Sequence, residues 1–118
     1  MTIEQTLVAM AATLLTGGLH PNVAPQNGAR PYGVYTLIVS PAHNTLSDGV
    51  TIQQDLFQVD VWAETYQGAL AVGNALSAAL QAAFDAGTIA GVQRSRRGRY
   101  DAETGLHGFL YEFSFWHP

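Results

Sequence analysis

The densest group of chemically capable side chains is the run QRSRRGRY, which holds four of the five arginines: Arg94, Arg96, Arg97 and Arg99. Guanidinium groups this close together suit either a phosphate backbone passing nearby or a carboxylate row on a neighbouring subunit, where bidentate geometry fixes register. They also suit a plain charged strand edge that resists aggregation. Only Tyr100 adjoins them, so the aromatic interleaving of single-strand binders is missing. The histidines at 20, 43, 107 and 117 sit in different predicted elements without paired metal-ligand spacing, and no metal or cofactor is expected. Asp101 and Glu103 near His107 imitate an acid–base pair, but acids in a turn are ordinarily solvated. No serine stands in a strand, sharp glycine turn and helix context. The chain contains no lysine and no cysteine, which excludes phosphate-cradling and Schiff-base lysines, thiolate chemistry and disulfides. Catalytic residues are therefore not expected, and the protein reads as a non-enzyme.

Composition points the same way. Charged residues make up 12% of the 118, against roughly 25% in an ordinary soluble domain, so the surface is poor in charge. Such a surface fits a chain that gives part of itself to a partner, although an alanine-rich monomer has the same composition. A formal net charge of -4 argues against nucleic-acid binding by the overall field, so any DNA contact is local. The apolar stretch 7–15 is far shorter than the ~20 residues of a membrane span. Glu4 precedes it and no basic residue does, so no secretory signal is expected and synthesis is placed in the cytoplasm. The length suits one domain over residues 1–118, with a radius of gyration of roughly 13 Å.

The elements that would position these residues follow from periodicity and punctuation. Residues 2–15 predict an amphipathic helix capped by Thr2, with Ile3, Leu7, Met10, Ala11 and Leu14 on one face and Gly17–Gly18 as the stop. The segment LHPNVAPQNGARP, with three prolines, predicts an extended connector without regular structure. YGVYTLIVS, residues 32–40, predicts a strand covered on both faces. Pro41 ends it, and PAHNTLSDG predicts an exposed polar loop. Residues 50–64 predict a strand whose alternation changes phase, with a bulge near Asp55 to Phe57. Thr65 caps a helix from Tyr66 to about Ala86 whose core stripe is Ala69, Val72, Leu76, Ala79, Leu80, Ala83 and Phe84, and Gly87 closes it. Two last strands, about 89–100 and 106–116, join through DAETG, with Gly105 free to take positive φ. The order α-β-β-α-β-β predicts an α+β fold, a mainly antiparallel four-stranded sheet with two helices packed on one face.

Alternation then assigns the faces. Phe109, Tyr111, Phe113 and Phe115 form the row turned to the helices. Trp62 falls with Gln58 and Asp60, and Trp116 with Glu112 and Ser114, so both indoles are expected on the face the helices leave open. Burying one indole removes about 150–250 Å² from water, and tryptophan is enriched among interface anchors. The alternative is that the chain's own loop or connector folds over them.

The pieces NVAPQNGARPYGVYTL and FQVDVWAETYQGALAVGNALSAAL resemble the tail completion family of long-tailed phages, which includes tail terminators and head-to-tail joining proteins. The resemblance rests on Val23, Pro25, Pro31 and Tyr32, then Val59, Val61, Trp62 and Ala63, then Thr65, Tyr66 and Ala69, and it extends over nearly the whole chain. It implies a virion protein that caps the tail tube as a hexameric ring and meets a head-side stopper or connector protein, with DNA passing only transiently through the hole. Gene transfer agents keep the same tail parts, so either kind of particle fits. Trp62, His43, Asn44, Leu46, Asp48 and Trp116 are the expected subunit or partner contacts, and Arg94, Arg96, Arg97 and Arg99 the expected channel lining or inter-subunit ion pairs. The other reading is a small-molecule-binding α+β homodimer whose tryptophans line a pocket.

Overall fold

Helix formation in the middle of the chain is fixed at both ends by local chemistry. Thr65, in extended conformation, accepts a hydrogen bond from the Gly68 amide at 3.0 Å and opens helix α2 (Tyr66–Ala86). Gly87 closes it with a left-handed φ of 78°, a conformation that costs a residue with a Cβ about 1 kcal/mol or more. A computed structural model of the chain describes residues 3–24, 28–39, 42–44 and 51–117, with 42–44 and 51–53 as backbone. Besides α2 these residues form α1 (Ile3–Ala12), β1 (Leu19–Pro21), β2 (Tyr32–Val39), β3 (Ala42–Asn44), β4 (Thr51–Ala63), β5 (Ala90–Asp101) and β6 (Leu106–His117). The proposed Thr2 cap lies outside them.

The sheet runs β1-β2-β4-β6-β5, and β3 pairs with β4 beyond the end of β2. The class is α+β, as expected, but the sheet is larger than four strands and mixed, because β1 runs parallel to β2. The connector was expected to be irregular. Its first three residues instead pair with Gly33 to Tyr35, and Pro21 is tolerated because β1 is an edge, where a missing N–H breaks no ladder. The expected polar loop likewise begins as strand β3.

The phase change in the fourth strand also has a different cause. β4 pairs with β6 in unbroken register from Gln53 to Ala63, and the irregularity lies in β2, where Ile38 is skipped opposite Leu56 and Phe57. Leu56 therefore points to the bare face, half-buried. Leu37, Ile38 and Val39 are about half exposed, so β2 is not covered on both faces as its composition predicted.

Both helices pack on one side. Leu7, Ala11, Leu15, Leu76 and Leu80 share one cluster with Phe57, Val59, Val61, Tyr111, Phe113 and Phe115, all of them essentially inaccessible. The aromatic row of β6 is core, as its alternation required. The molecule is elongated, 53 × 27 × 23 Å, and its radius of gyration of 15.2 Å exceeds that of a sphere-like domain. The long β4–β6 pair sets that axis. No helix of the described residues is long and apolar enough to cross a membrane.

Candidate functional site

The face opposite the helices is built in cross-strand rows. Tyr32, Trp62, Gly108 and Arg99 form one; Val34, Asp60, Leu110 and Arg97 the next; Thr36, Gln58, Glu112 and Ser95 a third. Period-two alternation places all twelve on one side. Both tryptophans lie on that side, as expected, but eight residues separate Gly108, opposite Trp62, from Trp116, which at ~3.3 Å per residue is about 26 Å. They are two separate features, not one site.

Trp62 is half-buried by its own chain. Its indole lies against Gly108, and the Arg99 guanidinium stands over it, 5.6 Å from the ring centroid. Arg99 Nη1 also donates to Asp60 Oδ1 at 3.0 Å, and Gln58 Nε2 donates to Asp60 Oδ2 at 3.1 Å. Asp60 is only 9% exposed, so both carboxylate oxygens have donors where water is scarce. Asp60 and Gln58 were assigned no role from the sequence. Their signal was the alternation VDVW, which puts the acid on the tryptophan's side.

The four arginines do not form one patch, and the reason is again alternation. Arg96 points to the helix side, where it donates to Asn74 Oδ1 at 3.1 Å and stands 5.6 Å from the Phe109 centroid. Arg97 and Arg99 point to the bare side. Arg94 is the inserted residue of a bulge between Gln93 and Ser95. Among the described residues, Arg94 and Arg97 have no ion pair or hydrogen-bond partner. Arg97, with Arg99, Gln58 and Leu110, lines a shallow depression of about 350 Å³.

The remaining candidates disperse. His43 and Asn44 lie in β3 opposite Ile52 and Thr51, with side chains outside the described residues, as are Leu46 and Asp48 altogether. Trp116 is half-buried on β6 between Gln54 and Ala90. His117 Nε2 lies 2.7 Å from Asp55 Oδ2, His20 contacts the Gly17 carbonyl, and His107 packs between the Tyr66 and Tyr100 rings. Among the described residues no group of three His, Asp or Glu side chains could hold a metal ion. Asp101 caps its own turn by accepting the Glu103 amide at 3.0 Å, so it does not pair with His107 as a base. A second depression, of about 450 Å³ beside the 3.7 Å Arg30–Glu64 ion pair, includes neither tryptophan in its lining.

Two buried phenols titrate abnormally. Burial pushes the Tyr111 hydroxyl above its ordinary value of 10.0, with the Arg96 charge pulling partly the other way. Burial and the neighbouring Glu4 carboxylate push Tyr35 in the same upward direction.

Among the described residues no helix packs on the second face of the sheet, which carries Trp62, the Asp60 hydrogen bonds and the exposed Arg97 and Arg99 of β5. The family comparison supplies the class of protein. Residues 3–118 match the family described as tail completion protein gp17, and the chain belongs to it. It is thus a structural component of a phage tail. No curated protein matches the chain.

Proposed function

We propose that the protein is a tail terminator: a hexameric ring that caps the finished tail tube, joins it to the head connector and lets DNA pass through its hole. The observation that carries this reading is the family match over residues 3–118. The sheet face that no described helix covers, with half-buried Trp62 beneath an Arg99 guanidinium that Asp60 holds, supports it as a surface suited to protein contact.

The mechanism is geometric. Covering the last ring of the tube removes the surface on which further tube subunits would add, and the far side of the cap presents a new surface to the head-side stopper. Trp62, Trp116 and the segment holding His43, Asn44, Leu46 and Asp48 would supply subunit or partner contacts. The particle is either an infectious phage or a gene transfer agent.

Light scattering on the purified chain, and negative-stain microscopy of it with its tail-tube protein, test the reading. Six-membered rings, or caps on tube ends, are the expected result. A dimer that never adds to tubes would overturn it and favour a ligand-binding homodimer instead.

A further inference from the structure

Among the described residues most charged side chains have an ion-pair or hydrogen-bond partner within the chain, and those without one include both signs. Arg30 pairs with Glu64, Arg96 with Asn74, and Arg99 with Asp60. Asp55 meets His117, Asp85 accepts from Gln81, Asp101 accepts the Glu103 amide, Glu112 accepts from Ser95, and Glu4 lies beside Tyr35. Among the described residues this leaves Arg94 and Arg97 as cations without a partner, and Glu103 as the carboxylate without one.

Arg97 and Glu103 cannot satisfy each other within one chain. At ~3.3 Å per residue the strand carries Asp101 about 13 Å from Arg97, with Glu103 farther out in the turn, while Arg97 projects from the bare face opposite Leu110. Both side chains are exposed. The turn that holds Glu103 is exposed and stiffened by the Asp101 carboxylate, by the Gly105 amide bonded to the Asp101 carbonyl at 2.8 Å, and by Gly105 at φ 72°. The Arg97 guanidinium borders a concave seat whose other walls are Gln58, Arg99 and Leu110. Leu110 is buried beneath the seat, whose lining is otherwise polar.

We propose that this seat takes the Glu103 side chain of a second copy of this chain, the tip of one subunit's β5–β6 turn entering the bare face of the next. A contact between two different patches of one chain is heterologous, so every copy both gives and receives, and repetition closes a ring where the rotation between copies returns to its start and runs on as a filament where it does not. The inference rests on the ring reading and names the ion pair that sets its register. A phosphate backbone fits the seat less well: Asp60 already holds Arg99 and Glu112 stands on the same face, so one guanidinium faces a single anionic group and no row of cations follows successive phosphates.

Charge reversal in the full chain tests it. Arg97→Glu and Glu103→Arg each weaken self-association about tenfold or more by sedimentation velocity at low salt, and the double variant Arg97→Glu/Glu103→Arg recovers most of the loss. Circular dichroism matching the unaltered chain shows that the variants are folded. Single reversals that assemble as well as the parent overturn the inference and leave the ring reading standing, and so does a double variant no better than the singles. Loss of binding to a double-stranded oligonucleotide by Arg97→Glu, with assembly intact, assigns the seat to phosphate instead. A parent chain that stays monomeric both alone and with tail tubes overturns both.

Discussion

The indole of Trp62 occupies the space that a side chain at position 108 would need: a Cβ on Gly108 would stand 2.7 Å from its Cε3 and 2.8 Å from the Val61 carbonyl. The neighbouring strand thus forms a bed for the ring, and Arg99 covers its other side. Gly108→Ala displaces the ring or the strand and costs about 1–3 kcal/mol of stability in denaturant titration. Trp62→Ala, by contrast, removes a half-buried ring, so folding loses only about 1–2 kcal/mol while assembly, where such rings anchor contacts, loses more. Intact rings of Trp62→Ala by light scattering would count against its role as an anchor.

Tyr111 and Gly73 form a second dependent pair. Among the described residues the buried Tyr111 hydroxyl has no hydrogen-bond partner of good geometry, although the Arg96 guanidinium is close enough to act on it, and it fills the position where a Cβ on Gly73 would lie. Gly73→Ala gains up to about 1 kcal/mol of helix propensity and loses about 1–3 kcal/mol to overpacking, for a net loss. Tyr111→Phe removes an unsatisfied hydroxyl and is expected to be near neutral. The double variant should recover most of the Gly73→Ala loss, and a simply additive cycle would argue against the clash.

Alkaline stability follows from the same phenols. Folded pKa values raised above 10.0 mean that the folded chain keeps protons the unfolded chain releases, so the contribution is fully present below pH 10.0 and falls as pH rises beyond it. Thermal melts at increasing alkaline pH should show this decline, and Tyr111→Phe should make it shallower.

Arg99→Ala takes from Asp60 one of its two donors and uncovers Trp62. Asp60 keeps Gln58, so the expected loss is about 1–3 kcal/mol, with red-shifted Trp62 fluorescence in a Trp116→Phe background. Unchanged emission would show that the guanidinium does not cover the ring in solution.

Helix α2, the aromatic core row of β6 and the DAETG turn were legible because each is written locally: a cap, a stop and a two- or 3.6-residue period lie within a few residues of one another. The faces of Trp62, Trp116 and Asp60 followed from the same alternation. β1 was not legible, since a three-residue parallel strand ending in proline exists only because β2 offers it an edge.

By itself, then, the chain determined which residues each element turns inward, because side-chain direction within a helix or strand is a local property. Only the tertiary structure decided which strand carries each bulge, and that Gly108 beds Trp62. It also divided one run of arginines among a bulge for Arg94, a helix-side contact for Arg96, a shallow depression for Arg97 and a carboxylate for Arg99. Register between strands joins residues distant in sequence, and no local pattern encodes it until the strands have paired.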